Sequence, residues 1–344
     1  MLQALLAAVL FGASAPLAKL LLGEMEPLPL SAFLYLGSGI ILLLILAWQR
    51  ILYKSPRNEA PLRKGDLPWL AGAILAGGVA APILLLYSLQ VTPAATASLL
   101  LNFETVATTL IAALVFREAL GRPAWLAVLL VTLASILLSL NVSGAWGLSL
   151  GAIGILFATC LWGLDNNLTR NISAKDPLEI VTVKGLVAGS ISLTFAIGLG
   201  KSFPTPTIIL EAMVLGSLSY GMSILLFVRA LRGIGAARTG ALFGVAPLAG
   251  VLLSLVLYRE TPPVPFWIAL PLMAFGTVLL LREEHEHDHS HERLVHEHAH
   301  RHDDLHHSHV HPESSEGNHS HEHEHKGLLH NHDHLPDIHH RHRH

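Results

Sequence analysis

Glu104 is a carboxylic acid in the middle of an apolar stretch, with polar residues spaced around it at helical intervals. Ser98, Asn102, Thr105 and Thr109 share one helix face; Glu104 lies on a different face, with Thr108 one turn on. Polar groups at membrane depth are costly and usually face a cavity or a partner. Burial disfavours the charged form of a carboxyl group. Glu104 could therefore carry a proton, pair with a cationic substrate, or join a buried ion pair. The plainer alternative is a hydrogen bond that fixes helix packing. A second cluster joins Trp162, Asn166 and Thr169 on one face, with Asp165 beside them. Asp165 falls in the inner third of its stretch, so it could also reach toward the cytoplasmic surface. Lys19 lies in the outer third of the first stretch; it could snorkel to the interface or serve an anionic group of a substrate.

The other chemistry sits at the end of the chain. All 23 histidines lie between His285 and His344. They alternate with Glu, Asp and small polar residues, as in His285, His287 and His289, in His296, His298 and His300, and in His319, His321, His323 and His325. Neutral imidazole suits Zn²⁺, Ni²⁺ and Co²⁺, and near neutral pH most of these side chains are uncharged. Dispersed ligands imply several exchangeable sites rather than one rigid cage. The segment has few apolar residues and no aromatics, so it is expected to be disordered when free of metal. H-E-x-x-H matches occur at His285, His296 and His321. A protease site would need that pattern on an ordered helix with a third ligand; in a His/Glu tract it arises by chance. No catalytic constellation appears outside the tail, so an enzyme is not expected and no cofactor is required. Cys160 is the lone cysteine, so no disulfide can form within the chain.

The elements that hold the first two clusters are read from hydropathy. Hydrophobic residues make up 52% of the chain and charged residues 14%, against about 25% charged in soluble domains. Apolar runs of about 18 or more residues mark membrane helices. Ten such spans are placed at 2–22, 28–48, 67–88, 93–116, 123–141, 147–168, 178–200, 208–231, 236–258 and 263–281. Ala13-Ser14-Ala15 mimics a signal-peptidase site, but no Lys or Arg precedes it and Pro16 would follow the cut, so a retained first span is expected. With the N-terminus cytoplasmic, the inward loops carry twelve Lys and Arg residues and the outward loops carry Lys201 and Arg259. Basic loops prefer the cytoplasm, so both termini are predicted there, in the inner or plasma membrane. The body's positive charges fall in loops between spans and imply no nucleic-acid partner.

The chain also repeats itself. At an offset of 142, Arg117-Glu118 aligns with Arg259-Glu260, Ala94-Ala95 with Ala236-Ala237, and Pro123, Trp125 and Ala127 with Pro265, Trp267 and Ala269. Nearer the start of each half the offset is 151, pairing Leu10 and Gly12 with Leu161 and Gly163, and Lys19 with Arg170. Five spans per half make the second copy enter the membrane in the opposite direction. Inverted repeats characterise many secondary transporters, whose substrate site lies near the midplane between the halves. The units expected are residues 1–141, 147–282 and the tail 283–344.

These features resemble the drug/metabolite transporter superfamily, and within it the EamA-type exporters. The resemblance rests on Phe11-Gly12 and Leu161-Trp162-Gly163 at the entry to each half, on Asn102-Phe103-Glu104, and on the Arg-Glu pairs ending spans four and nine. It implies an all-α ten-helix bundle with a central cavity, cytoplasmic termini, and export of small metabolites by a secondary mechanism. The family often has Pro after the span-four Glu, where this chain has Thr105; Ala246 occupies the place matching Glu104 in the second half. The expected function is therefore export of a small molecule, with Glu104 as proton or cation site and Asn102, Ser98, Thr105, Trp162 and Asn166 lining the cavity. Proton coupling and a homodimer are compatible with this reading. A nickel, cobalt or zinc exporter whose tail collects the ion is a rival, as is a tail that merely buffers or senses metal.

Overall fold

The computed structural model describes residues 1–53, 60–116, 121–141, 147–173, 175–234, 242–281 and the tail segments 289–290, 294–300, 319–325 and 329–330. In the body these residues are helical apart from short connections. The elements are α1 (Leu2–Gly12), α2 (Ser14–Leu21), α3 (Pro27–Tyr53), α4 (Leu67–Ala73), a π-helical segment (Ile74–Ala80), α5 (Ala81–Val91), α6 (Ala94–Leu100) and α7 (Phe103–Leu114). They continue with α8 (Arg122–Ser139), α9 (Leu150–Arg170), α10 (Pro177–Gly198), α11 (Pro206–Gly216), a second π segment (Ser217–Met222), α12 (Ser223–Ile234), α13 (Ala246–Tyr258) and α14 (Val264–Leu281). Among the described residues, seven helical stretches are long and apolar enough to cross a membrane, and two shorter apolar helices follow them.

Residue size decides which side of each helix faces in. On α8, Ala124, Ala127, Val131, Ala134 and Ser135 are buried, while Trp125, Leu126, Leu129, Leu133 and Ile136 are exposed. On α1, Ala4, Ala7 and Ala8 are buried and Leu5, Leu6 and Val9 exposed. Lipid is as apolar as Leu, so burying Leu between helices gains little there; small residues let backbones approach and gain packing instead. The small pair Gly185/Gly189 does this on α10: a Cβ on Gly185 would lie 2.7 Å from the Gly39 nitrogen.

The packing follows the two-half repeat. α3 packs on α10 and α8 on α14, each helix against its counterpart in the other half. α5 and α7 pack on α9, as α12 and α13 pack on α1. The equivalent glycines sit at equivalent crossings. A Cβ on Gly12 would lie 2.1 Å from the Ala246 carbonyl oxygen, and one on Gly163 2.8 Å from the Thr108 nitrogen.

The helix interruptions follow the same symmetry. The turn at Leu101-Asn102 has its counterpart near Gly244-Val245, and the π segment at Ile74–Ala80 has its counterpart at Ser217–Met222. Three prolines of the apolar runs fall in the first turns of helices. Pro82 and Pro247 stand in the first turn of α5 and α13, and Pro16 is the third residue of α2. Pro82 lacks the N–H that would continue the ladder from the π segment into α5.

Leu294–His300 and His319–His325 pair antiparallel, with His296 opposite His323, His298 opposite His321 and His300 opposite His319. Alternation with a period of two is the pattern of a strand, which the histidine spacing supplies. A two-stranded ladder without a hydrophobic face is marginal in water. His285 and His287 lie outside the described residues.

Candidate functional site

The centre of the bundle is organised around the crossing of α7 and α9. Gly163 lets these helices touch backbone to backbone, which brings Asn166 against Glu104. The Asn166 amide donates to Glu104 Oε1 at 2.9 Å and to the Thr108 hydroxyl at 3.1 Å. Asn167, one residue on, donates to the Thr108 carbonyl at 3.0 Å and locks the crossing. Asn166 is exposed and Glu104 half-buried, so this pair borders open space rather than packed side chains. Among the described residues Glu104 forms no ion pair, and its hydrogen-bond donor is a neutral amide.

The second carboxylate has a different partner. Asp165 is 3% exposed and forms an ion pair with Lys184 of α10. It also accepts from Thr169 at 3.0 Å. Asp165 therefore turns inward to a buried cation instead of reaching the cytoplasmic surface. Lys184 drew no notice in the sequence, although a lysine inside an apolar run is itself the signal that could have found it. Its ammonium and Asp165 are both within electrostatic reach of Glu104.

A third group fixes the wall. The π segment Ile74–Ala80 leaves the Gly77 carbonyl free of the regular ladder. The Tyr35 hydroxyl donates to it at 2.7 Å and Trp162 Nε1 at 2.9 Å. One oxygen thus joins helices α3 and α9 to the π segment, which is where such bulges commonly occur in functional proteins. Gly77 is required because a Cβ there would lie 1.9 Å from Asp165 Oδ2. Gly77→Ala is expected to cost about 1–3 kcal/mol through overpacking, read as a lowered thermal midpoint in detergent. Tyr35 stacks on Tyr220 of the second π segment at 5.6 Å, and Phe11 meets Tyr220 edge-on at 6.2 Å.

Other residues read as cavity lining are elsewhere. Asn102 donates to the Thr277 hydroxyl at 2.7 Å and to the Met273 carbonyl at 3.3 Å, on α14. Ser98 is buried against Ser254 of α13, with the two hydroxyls 3.5 Å apart. Thr105 is exposed and returns its hydroxyl to the Asn102 carbonyl. The helix break at Leu101-Asn102 rotates α6 relative to α7, so the continuous face expected from spacing does not persist. Asn102 instead borders a cleft of about 110 Å³ with Leu99, Pro247, Met273 and Thr277.

Lys19, near the end of α2, donates to the Thr92 carbonyl. Beside it, Glu260 accepts from the Ala94 and Ala95 amides at 2.8 and 2.9 Å. Helix starts leave such N–H groups unpaired, and an anion there is favourable. The two dipeptides singled out by the repeat, Ala-Ala and Arg-Glu, are thus partners across the halves. Arg259, left-handed at φ 49, turns the chain so that Glu260 reaches back. Glu260→Ala is expected to lower stability by about 1–2 kcal/mol, with Glu260→Gln intermediate, as measured by thermal unfolding.

Lys201 donates to Glu26 at 2.7 Å and ties the two halves. That hydrogen bond, with the lysine charge, holds the Glu26 carboxyl below its ordinary range. A depressed carboxylate stabilises above its unfolded value, and the stabilisation is lost as pH falls through the folded one. The pair is exposed, so the effect is small and salt-sensitive. Melting of wild type and Glu26→Gln should differ near neutral pH and converge in acid below about pH 4.

Comparison with known proteins agrees with this architecture. A model of the "EamA-like transporter family" matches residues 1–140 and again 149–282. An "uncharacterized transporter" of Methanothermobacter thermautotrophicus (strain Delta H) is 30% identical over 288 residues, covering 80% of this chain and 83% of that protein. A crystal structure aligns with a TM-score of 0.58 at 20% identity, covering 81% of this chain and 94% of that one. At that identity the likeness speaks for the fold. The two tandem matches, one to each half of the chain's body, make this chain a multi-pass membrane protein of the EamA-like transporter family.

Proposed function

We propose that the chain exports a small metabolite across the inner or plasma membrane, driven by the substrate gradient or the proton gradient. Ten spans carry it, with both termini cytoplasmic. Glu104 is the proton or cation site, and Asn166, Thr108 and Trp162 shape the space around it. The observation that carries this reading is the Glu104–Asn166 pair. It is a carboxyl group bordering open space at the crossing of the two halves, with a neutral donor where a structural role would call for a cation. The tail gathers Ni²⁺, Zn²⁺ or Co²⁺ on the cytoplasmic side, and a homodimer is compatible with the lipid-facing surfaces.

A metal exporter is the second reading, favoured by the tail. Against it, among the described residues no group of three or more His, Cys, Asp or Glu side chains is arranged to hold a metal ion. Cellular nickel, cobalt and zinc contents decide between them, compared for the full chain, a truncation after Glu284, Glu104→Gln and an empty vector. The metabolite reading expects metal contents that follow the tail and ignore Glu104. If the full chain lowers one metal and Glu104→Gln abolishes the effect, the metal-exporter reading replaces it.

A further inference from the structure

The seam between α6 and α13 is packed shut. Thr92, Ala94, Ala95 and Ser98 are buried on one side of it, and Gly250 and Ser254 on the other. A Cβ on Gly250 would lie 2.6 Å from the Gly12 carbonyl oxygen and 3.0 Å from the Ser98 hydroxyl oxygen. Exposure returns past the helix break, at Thr105 and Asn166. The space beside Glu104 therefore opens away from this seam. Two charged side chains hold the closed end, and both reach the same short segment, Thr92–Ala95, which joins α5 to α6. Lys19 of α2 donates to the Thr92 carbonyl, and Glu260, two residues past α13, accepts from the Ala94 and Ala95 amides. The Tyr258 hydroxyl donates to the Pro16 carbonyl at 2.9 Å and ties α13 to α2. Lys19 and Glu260 thus belong to one unit and grip the backbone of another. Such a grip can let go without melting a helix, because amides at a helix start have no partner within the helix. Charge-assisted hydrogen bonds are the strong ones, so their loss biases a two-state equilibrium. The Thr92 hydroxyl is buried and makes no hydrogen bond; that is a cost of the closed arrangement which opening to water would relieve.

We propose that Lys19 and Glu260 form a two-pronged latch on Thr92–Ala95, which holds this end of the bundle shut and whose release opens the seam toward Glu104. The proposal rests on the transport reading above, in which the site must be reached from both faces in turn. Glu260 is the stronger prong, since it accepts two hydrogen bonds, and Lys19 the weaker, since its acceptor is a neutral carbonyl.

Distances across the seam test it in the full-length protein in lipid nanodiscs. Spin labels go on Val91→Cys and Val256→Cys, both exposed, with Cys160→Ser removing the lone native thiol, and are read by double electron–electron resonance. One short distance should dominate when the latch is intact. Glu260→Ala should raise the ratio of long to short distances at least about tenfold, the worth of one charge-assisted hydrogen bond. Glu260→Gln should fall between, and Lys19→Met should shift the ratio the same way by less. Ala94→Pro attacks the latch from the other side: proline is tolerated at a helix start, removes one donor and leaves Glu260 in place. It should lengthen the distances as Glu260→Ala does, and it keeps the test decisive if Glu260→Ala folds poorly. Distances that stay short in both Glu260→Ala and Ala94→Pro, with only the thermal midpoint lowered, would make Glu260 a static cap and overturn the latch. Counterflow of a radiolabelled amino-acid mixture in proteoliposomes separates this from the transport reading. Glu104-dependent flux with unmoved distances would overturn the latch and leave transport standing. Lengthened distances with no flux of the mixture in any variant would uphold the latch and count against transport alone.

Discussion

Replacing Glu104 with glutamine is expected to reduce transport by about ten- to hundredfold in proteoliposomes and to flatten its pH dependence, with little change in folding. Glutamine has nearly the same shape and keeps an oxygen that can accept from Asn166 at the position now 2.9 Å away. What it loses is the negative charge and the ability to release a proton. A hydrogen bond to a charged group contributes about 1.5–3 kcal/mol, and each 1.4 kcal/mol is tenfold in an equilibrium, which sets the range. The thermal midpoint should stay close to wild type, because the amide pair is retained. Unchanged flux across the pH range would remove Glu104 from the transport cycle and return it to helix packing. Asn166→Leu provides the comparison: it keeps the carboxyl group but removes its donor, so flux should fall while the pH dependence persists.

The Asp165–Lys184 pair should produce the largest effect on stability. Removing one partner leaves the other as an uncompensated charge in the interior, which costs about 3–5 kcal/mol. Asp165 has 5% of its side chain exposed and Lys184 18%, so neither can recover full hydration by a small movement. Lys184→Met should therefore be poorly folded, and Asp165→Asn nearly as poor, although the amide can still accept from Thr169. The double variant Asp165→Asn/Lys184→Met should recover most of the loss, because no charge is left alone. The thermal midpoints of the four proteins form a double-mutant cycle, and additive losses would mean that the pair is not coupled. The single Lys184→Met variant should also disturb transport, since it adds the unbalanced charge of Asp165 to the neighbourhood of Glu104.

Much of this architecture is legible in the residues. The dipeptides repeated at an offset of 142 foretold two related halves, and the structure gives them a shared purpose in Glu260, which caps Ala94 and Ala95 across the halves. Gly12 and Gly163, matched by the repeat, sit at equivalent close crossings. Glu104, Asn166 and Trp162 stood out because a polar residue in an apolar run has a cost that must be met somewhere. Spacing named them without naming their partners. Asn102 and Ser98 share a helical face with Thr105 on paper, but the break at Leu101-Asn102 sends them to α14 and α13. Lys184 was silent because its partner is set by the register between α9 and α10, which no periodicity within either helix contains. The double acceptance at the Gly77 carbonyl depends on a local π turn that apolar residues do not announce.

The sequence by itself determined which stretches are apolar enough to enter a membrane, that the chain is built from two related halves, and where titratable groups and histidines lie along it. These are properties of local hydropathy and of residues counted in order. Only the tertiary structure decided that Asp165 belongs to Lys184, that Glu104 keeps a neutral donor, and that Tyr220 joins Tyr35. Those pairings depend on how helices cross, and small residues such as Gly77 and Gly163 set the crossings by letting backbones approach where a Cβ would collide.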